Sequence, residues 1–462
     1  MHILFIVYDN GSYISQFPIG IAALSAILEK HGHEVTIYNQ DIHHYSDEHL
    51  VSYLNEHEFD IVGLSFIAGY WQYKKAKSIS SIINNSRNRP LYIIGGHGPT
   101  PDPTYFLNLL QADIVCMGEG EETILDIIDA ISSKRDLSTV SGIAYRTGSQ
   151  VTINRRRPLI QDIDALPFPA YHLFPIEVYR LLRMPHCTSS DFIMPLLSGR
   201  GCTFKCNFCY RMDSGFRPRS NEAIIEEIEL LKKNYGITYI SFFDELLISS
   251  VERATLLCED FIRRQVNIKW ECNGRLNYAK KDLLKAMKRA GCVFINYGIE
   301  AFDDNTLKAM NKNLSTRQIE QGIQATLNAG ISPGLNIIFG NHGESREILQ
   351  KGVDFLLKYD DGAQLRTIRP VTPYPGSQLY YDAINAGKIK DCADFYENKH
   401  TNSDLLSVNF TTLSDDEFYD ALHKANSILL DNYIRRLKIS SAHQLDILYK
   451  QRDASFRGFR HG

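Results

Sequence analysis

The strongest constraint on what this chain can fold into is a repeated alternation of short apolar runs with longer amphipathic stretches. Through residues 1–140 the apolar runs fall at 3–8, 34–38, 61–66, 91–94 and 114–117, with helical patterns such as 19–30 and 72–84 between them. Runs of strand length that are apolar throughout suit strands covered on both faces. The pattern therefore predicts an α/β fold, a doubly wound, Rossmann-like parallel sheet with covering helices. In such sheets ligands bind beyond the carboxyl ends of the strands. The turns found there are Asp9-Asn10-Gly11-Ser12, Gly95-Gly96-His97-Gly98 and Gly118-Glu119-Gly120-Glu121. Glycines at such turns allow the backbone to come close to a ligand.

Beyond this unit the pattern changes. Residues 144–147 and 150–153 read as a hairpin around Gly148-Ser149, and Leu166-Pro167-Phe168-Pro169 is a proline-broken connector, so 141–190 forms a hairpin and linker. The alternation resumes with the apolar run 192–197 and continues through strand patterns at 239–243, 268–272, 293–298, 334–339 and 364–368. Helical patterns lie at 222–233, 252–263, 281–289, 316–328 and 346–358; the first follows the capping residue Ser220 and stops before Gly236. Six βα units over 191–395 predict a partial (β/α)6 barrel, short of the eight that close a full one. A helix over 417–437 and a basic, poorly structured tail complete a small helical region, 396–462.

Composition narrows the function classes. A chain of 462 residues exceeds one ordinary core, and 44% hydrophobic with 23% charged residues is a globular balance. The net charge of −4 argues against a general nucleic-acid binder, and Arg155-Arg156-Arg157 reads as a solvated face. The opening run Met1–Tyr8 is too short for a signal peptide or a membrane span, which predicts a cytoplasmic protein with no membrane span.

Nine cysteines would suit a disulfide framework poorly, because three of them crowd into eight residues: Cys202, Cys206 and Cys209, spaced C-x3-C-x2-C. Thiolates are soft ligands, and three on one loop can hold three irons of a 4Fe–4S cluster, leaving one iron open. A structural zinc site would need a fourth ligand, for which His186 or Cys187 is the candidate.

With this motif set in six βα units, the chain resembles the radical S-adenosylmethionine enzymes, specifically the class with an amino-terminal cobalamin-binding domain. The matching segments include Arg217-Pro218-Arg219-Ser220, Phe242-Phe243-Asp244-Glu245, Gly298-Ile299-Glu300-Ala301, Pro373-Tyr374-Pro375-Gly376-Ser377, and the turns at Gly95 and Gly118. The resemblance implies that Cys202, Cys206 and Cys209 bind the cluster and that the methionine amine and carboxylate chelate the open iron. Reductive cleavage then releases a 5′-deoxyadenosyl radical. It further implies that Phe208 packs near the adenine, Asp244 and Glu245 meet the methionine amine, and Arg275 forks onto the carboxylate. Glu300 would reach the ribose or the amine, with Asn336 and Gly340 lining the next strand. Cobalamin would lie against Asn10, Gly11, Ser12, Ser65, Gly95, Gly96, His97, Gly98, Glu119 and Gly120. The first turn lacks the histidine of the Asp-x-His-x-x-Gly pattern that many cobalamin proteins use to ligate cobalt. The implied activity is methylation of an unactivated carbon of a small molecule, with a flavodoxin or ferredoxin as electron donor. The alternative is a dehydratase, deoxygenase, cyclase or ring-rearranging enzyme of natural-product or tetrapyrrole biosynthesis that transfers no methyl group.

Overall fold

The structure, a computed structural model, describes residues 1–12, 15–148 and 150–456. Its amino-terminal sheet has seven strands: β1 (His2–Val7), β2 (Glu34–Asn39), β3 (Ile61–Ser65), β4 (Leu91–Gly95), β5 (Ile114–Cys116), β6 (Ile143–Thr147) and β7 (Gln150–Ile153). Their order is β2-β1-β3-β4-β5-β6-β7. The first five run parallel, and β6 and β7 add antiparallel to the β5 edge. The expected hairpin is thus the outer edge of this sheet, and Gly148 stands in its turn while Ser149 lies outside the described residues. Helices Ile19–Lys30, Asp47–Glu56, Tyr70–Asn84 and Pro103–Leu110 make the crossovers, and Glu121–Ser132 leads from β5 to the antiparallel β6. The first ends at Gly32 (φ +78°), where the amides of Gly32 and His33 return to Glu29 and Leu28, because only a left-handed residue closes the last turn this way. Strand order reverses between β1 and β3, so their carboxyl ends form a switch-point crevice.

The second sheet is entirely parallel: β8 (Ile193–Leu196), β11 (Tyr239–Phe242), β12 (Lys269–Gly274), β13 (Cys292–Glu300), β14 (Ser332–Phe339) and β15 (Ile368–Pro370), in that spatial order. A separate antiparallel pair, β9 (Gly199–Arg200) and β10 (Arg217–Pro218), sits at its mouth. β8 and β15 do not pair, so the six units form an open partial barrel, as the sequence predicts. Its helices obey the expected signals. Helix Asn221–Tyr235 is capped by Ser220, whose side chain accepts from the Ala223 amide, and ends at Gly236 (φ +71°). Helix Thr316–Asn328 opens on a full capping box between Ser315 and Gln318.

The last strand starts at Ile368, later than the expected 364–368. Arg366 is held beforehand by Asp361 (2.8 Å) and by the Pro333 carbonyl (3.0 Å), which keeps the preceding residues in a charged turn. The carboxy-terminal helix, Asp415–Leu445, is longer than expected at both ends and starts on a Ser414–Glu417 capping box. Its Asn426 amide donates to the Ile368 carbonyl and accepts the Ile368 amide, both at 2.9 Å. A side chain thereby satisfies the exposed edge of β15. The basic tail from 457 onward lies outside the described residues. Among the described residues no helix is long and apolar enough to cross a membrane.

Candidate active site between the two sheets

The cysteines sit on one loop, residues 201–216, closed at its base by the β9–β10 pair. The closure is tight. Gly201 has φ +85°, and a Cβ there would stand 2.4 Å from the Gly215 carbonyl oxygen, so only glycine fits. The far side of the loop docks on residues 309–313. The Asn207 amide donates to the Met310 carbonyl (3.0 Å), its side chain to the Ala309 carbonyl (3.3 Å), and the Asn311 side chain to the Lys205 carbonyl (2.7 Å). Asn311 and Asn313 both adopt positive φ (54° and 52°), a conformation asparagine tolerates better than most residues.

Cys202 and Cys206 are half-buried and Cys209 is exposed. Desolvation raises the Cys202 thiol and pushes Cys209 up to about 12, with the charges of Cys206 and Glu245 adding to the shift at Cys209. Thiols that disfavour one another's ionisation are well suited to a cationic centre, which deprotonates them outright. Among the described residues no three His, Cys, Asp or Glu side chains converge on a single ion, and His186 is instead stacked on Phe294 (4.0 Å). Soft donors spread along one loop fit a multi-iron cluster.

Arg275 reaches this loop from the end of β12. Its guanidinium lies 3.6 Å over the Phe204 ring, donates to the Lys312 carbonyl, and stands 3.5 Å from the Cys206 sulfur. The fork expected to meet a carboxylate is engaged here by protein, and Arg275 braces the cysteine loop. Glu300 occupies a bulge at the end of β13 with φ +70° and forms a buried ion pair with Lys312 at 2.7 Å. Gly298 leaves room for it, since a Cβ there would stand 2.3 Å from the Glu300 carboxylate. The same lysine lies 5.8 Å from the centre of the Phe208 ring.

Asp244 is 1% exposed, and its carboxylate accepts the Ser198 amide and hydroxyl at 3.0 and 2.8 Å. Burial pushes it up to about 6 despite those bonds. It ties β11 to the end of β8. Glu245, its neighbour, is exposed toward the thiols and is raised by burial, with Arg211 opposing. Inside the barrel three asparagines form a ladder. Asn273 donates to the Asp244 carbonyl (2.9 Å), Asn296 to Asn273 (3.0 Å) and Asn336 to Asn296 (2.7 Å). A carbonyl can only accept, so the ladder has one polarity, and Asn336 spends its amide nitrogen on Asn296 and keeps its amide oxygen as an acceptor. Gly340 (φ +113°) donates its amide to Glu344 (2.7 Å), as does Asn341 (2.8 Å), and burial pushes that carboxyl up to about 7.

A cavity of about 410 Å³ opens between the barrel mouth and the carboxyl ends of β3 to β5. It brings together Ser65, Gly95, Gly96, His97, Glu119 and Gly120 from one side with Asp244 and Glu245 from the other. Asn10, Gly11, Ser12 and Gly98 do not line it. Asn10 is held by Asp41 (2.8 Å) and Gln72 (3.1 Å), Gly11 lies against Trp71, and Gly98 lies behind Phe66. Gly96 has φ +95°, and a Cβ would stand 2.8 Å from both the Phe66 carbonyl and the Ser65 hydroxyl. Its glycine is thus required by the turn's own packing. His97 is lowered by desolvation. Glu119 is 9% exposed and gripped by Arg200 (2.7 Å) and Arg217 (3.0 Å). Arg155 and Arg156 of the triple-arginine run are exposed, as expected of a solvated face, whereas Arg157 is partly buried and pairs with Asp126 at 2.5 Å.

Sequence reasoning missed Phe204, Asn207, Arg200, Lys312, Asn341 and Glu344. Arg200 stands between Gly199 and Gly201 just before the cysteine motif, Phe204 and Asn207 lie inside it, and Glu344 falls shortly after Gly340; no local pattern marks Lys312 or Asn341.

A sheet-plus-partial-barrel protein with a three-thiol loop facing a switch-point crevice is the class this geometry defines. Residues 196–356 match the model of the Radical SAM superfamily and residues 14–128 that of the B12 binding domain. The chain thus carries a radical SAM domain preceded by a B12-binding domain. It is 28% identical over 372 residues to an uncharacterized methyltransferase of Pyrococcus horikoshii, covering 79% of this chain and 78% of the relative. It is 25% identical over 385 residues to the anaerobic magnesium-protoporphyrin IX monomethyl ester cyclase of Rubrivivax gelatinosus, covering 81% of this chain and 67% of that one. In fold it is similar to the radical S-adenosylmethionine methyltransferase TsrM of Kitasatospora setae, with a TM-score of 0.70 at 17% identity over 83% of this chain and 78% of TsrM.

Proposed function

We propose that this protein is a cobalamin-dependent radical S-adenosylmethionine enzyme that methylates an unactivated carbon of a small molecule. One observation carries the reading: the cavity joins the B12-type crevice to the barrel mouth beside the cysteine loop, so one substrate can face both. When bound, the cluster with S-adenosylmethionine supplies a hydrogen-abstracting 5′-deoxyadenosyl radical and cobalamin supplies the methyl group.

The chain's own residues hold and orient these groups. Cys202, Cys206 and Cys209 are the cluster ligands. Glu245, exposed toward the thiols, accepts from the methionine amine. Arg275 fixes Cys206 and the loop through Phe204, and Glu300 with Lys312 forms the polar wall beside Phe208. Asn336 offers an acceptor to a hydrogen-bond donor in the lumen. Ser65, Gly95 and Gly96 give a small, close-approaching surface for the corrinoid. A small reductant protein such as flavodoxin or ferredoxin supplies electrons, in the cytoplasm, where nine free cysteines are compatible with a reducing compartment.

The methyltransferase of Pyrococcus horikoshii supports this reading, while the cyclase relative supports a second one, radical chemistry without methyl transfer. Product analysis separates them. Methyl transfer consumes a second S-adenosylmethionine and yields S-adenosylhomocysteine together with 5′-deoxyadenosine. If cobalamin-loaded enzyme turning over its substrate yields 5′-deoxyadenosine alone, the methylase reading fails and the cyclase-type reading stands.

A further inference from the structure

The base of the cysteine loop contains an electrostatic conflict. Arg200 and Arg217 are direct cross-strand partners in the β9–β10 pair. Like charges facing each other across two strands are destabilising, and this pair has only two residues per strand to hold it. The conflict is resolved from the other domain. Glu119 accepts Arg200 on one oxygen (2.7 Å) and Arg217 on the other (3.0 Å), and the second oxygen also takes the Ile160 amide (2.8 Å). Glu121 takes the remaining Arg200 nitrogen at 2.5 Å. The side chains of Glu119 and Glu121 are 9% and 8% exposed and those of Arg200 and Arg217 21% and 14%, so solvent screening is weak. Both carboxylates belong to the Gly118–Glu121 turn, which lines the crevice, and Arg200 stands two residues before Cys202.

We infer that Glu119 is a positioning residue that couples the amino-terminal cofactor site to the cysteine loop. A ligand seated against the Gly118–Gly120 turn fixes the carboxylate, the carboxylate fixes the two arginines, and the arginines fix the strand pair from which Cys202 projects. The inference rests on the proposed function, because the two coupled ligands are cobalamin and S-adenosylmethionine. Coupling of this kind is reciprocal, so each ligand tightens the other by the same factor.

The test uses full-length protein with its cluster reconstituted anaerobically. The dissociation constant of S-adenosylmethionine is measured with and without saturating hydroxocobalamin, alongside the electron paramagnetic resonance spectrum of the reduced cluster. In the wild type, hydroxocobalamin tightens S-adenosylmethionine by roughly fivefold or more and narrows the cluster spectrum to one species. In Glu119→Gln, which keeps the shape but loses the charge, both ligands still bind, the coupling factor falls toward one, and the spectrum becomes heterogeneous. Glu119→Gln/Arg217→Met, which removes the facing charge, restores the single spectrum without restoring the coupling; a merely structural defect would recover both or neither. Undiminished coupling in Glu119→Gln, or none in the wild type with both ligands bound, overturns the inference while leaving the functional reading intact. Failure of the wild type to bind hydroxocobalamin or S-adenosylmethionine takes down both.

Discussion

The cysteine loop and the amino-terminal crevice face the same cavity and are built in opposite ways. The loop is defined by side chains: three thiols, a guanidinium stacked on Phe204, and an asparagine docked on residues 309–310. The crevice is defined by backbone. Its glycine turns are shaped by their own packing, as at Gly96, and its two carboxylates, Glu119 and Glu121, reach away to Arg200 and Arg217. A soft metal cluster demands particular donor atoms, whereas a large organic cofactor can be held by shape and backbone. The first kind of site tolerates almost no substitution at a few positions, and the second tolerates substitution that keeps the turn.

That contrast can be broken by experiment. The largest effect is expected at the thiols. Cys206→Ala should remove bound iron and lower S-adenosylmethionine cleavage at least about a thousandfold, about 4 kcal/mol of barrier, as read by iron content and 5′-deoxyadenosine. Retained cleavage would mean that the loop is no cluster site. Next is the buried pair beside it. Lys312→Met leaves Glu300 uncompensated and should cost about 3 to 4 kcal/mol in denaturant unfolding, with the Glu300→Met/Lys312→Met double variant recovering much of the loss. A cost near zero would show that the barrel wall is as permissive as the crevice.

The third effect is a pH dependence. The buried Glu344 carboxyl is raised from 4.5 to about 7. Between those values the unfolded chain has lost this proton and the folded chain keeps it. Stability contributed by this group is therefore full below about pH 4.5 and is lost as pH rises to about 7, by about 3 kcal/mol over the window. Glu344→Gln should remove that slope in denaturation curves taken across the window, and an unchanged slope would place the titration elsewhere. The smallest effect is expected in the crevice. Gly96→Ala, forced into φ +95° with its Cβ against the Phe66 carbonyl, should cost about 2 kcal/mol and weaken hydroxocobalamin binding while leaving iron content unchanged. Loss of iron there would erase the distinction between the two regions.

Much of this was legible beforehand where the information is local. The strand runs needed only their own apolar residues, and Ser220 and Gly236 mark helix ends by capping within a few positions. Cys202, Cys206 and Cys209 announce themselves by spacing. Arg275 and Glu300 were placed at strand ends correctly, but their partners were not visible, because Lys312 lies 37 and 12 residues away on a turn with no motif. Glu119 was expected to face a cofactor; its partners stand 81 and 98 residues along the chain. The placement of Asn10 away from the cavity likewise depends on Asp41, which no local pattern connects to that turn.

The sequence by itself therefore determined the two α/β units, the six-strand barrel and the three-thiol loop, because hydrophobic periodicity, capping and metal-ligand spacing act over a few residues. Only the tertiary structure decided which charges meet. Ion pairs and hydrogen bonds form between side chains that folding brings within about 3 Å. The polarity of the asparagine ladder, the Glu300–Lys312 pair and the grip of Glu119 on two facing arginines follow from strand order and domain docking, which no stretch of sequence carries alone.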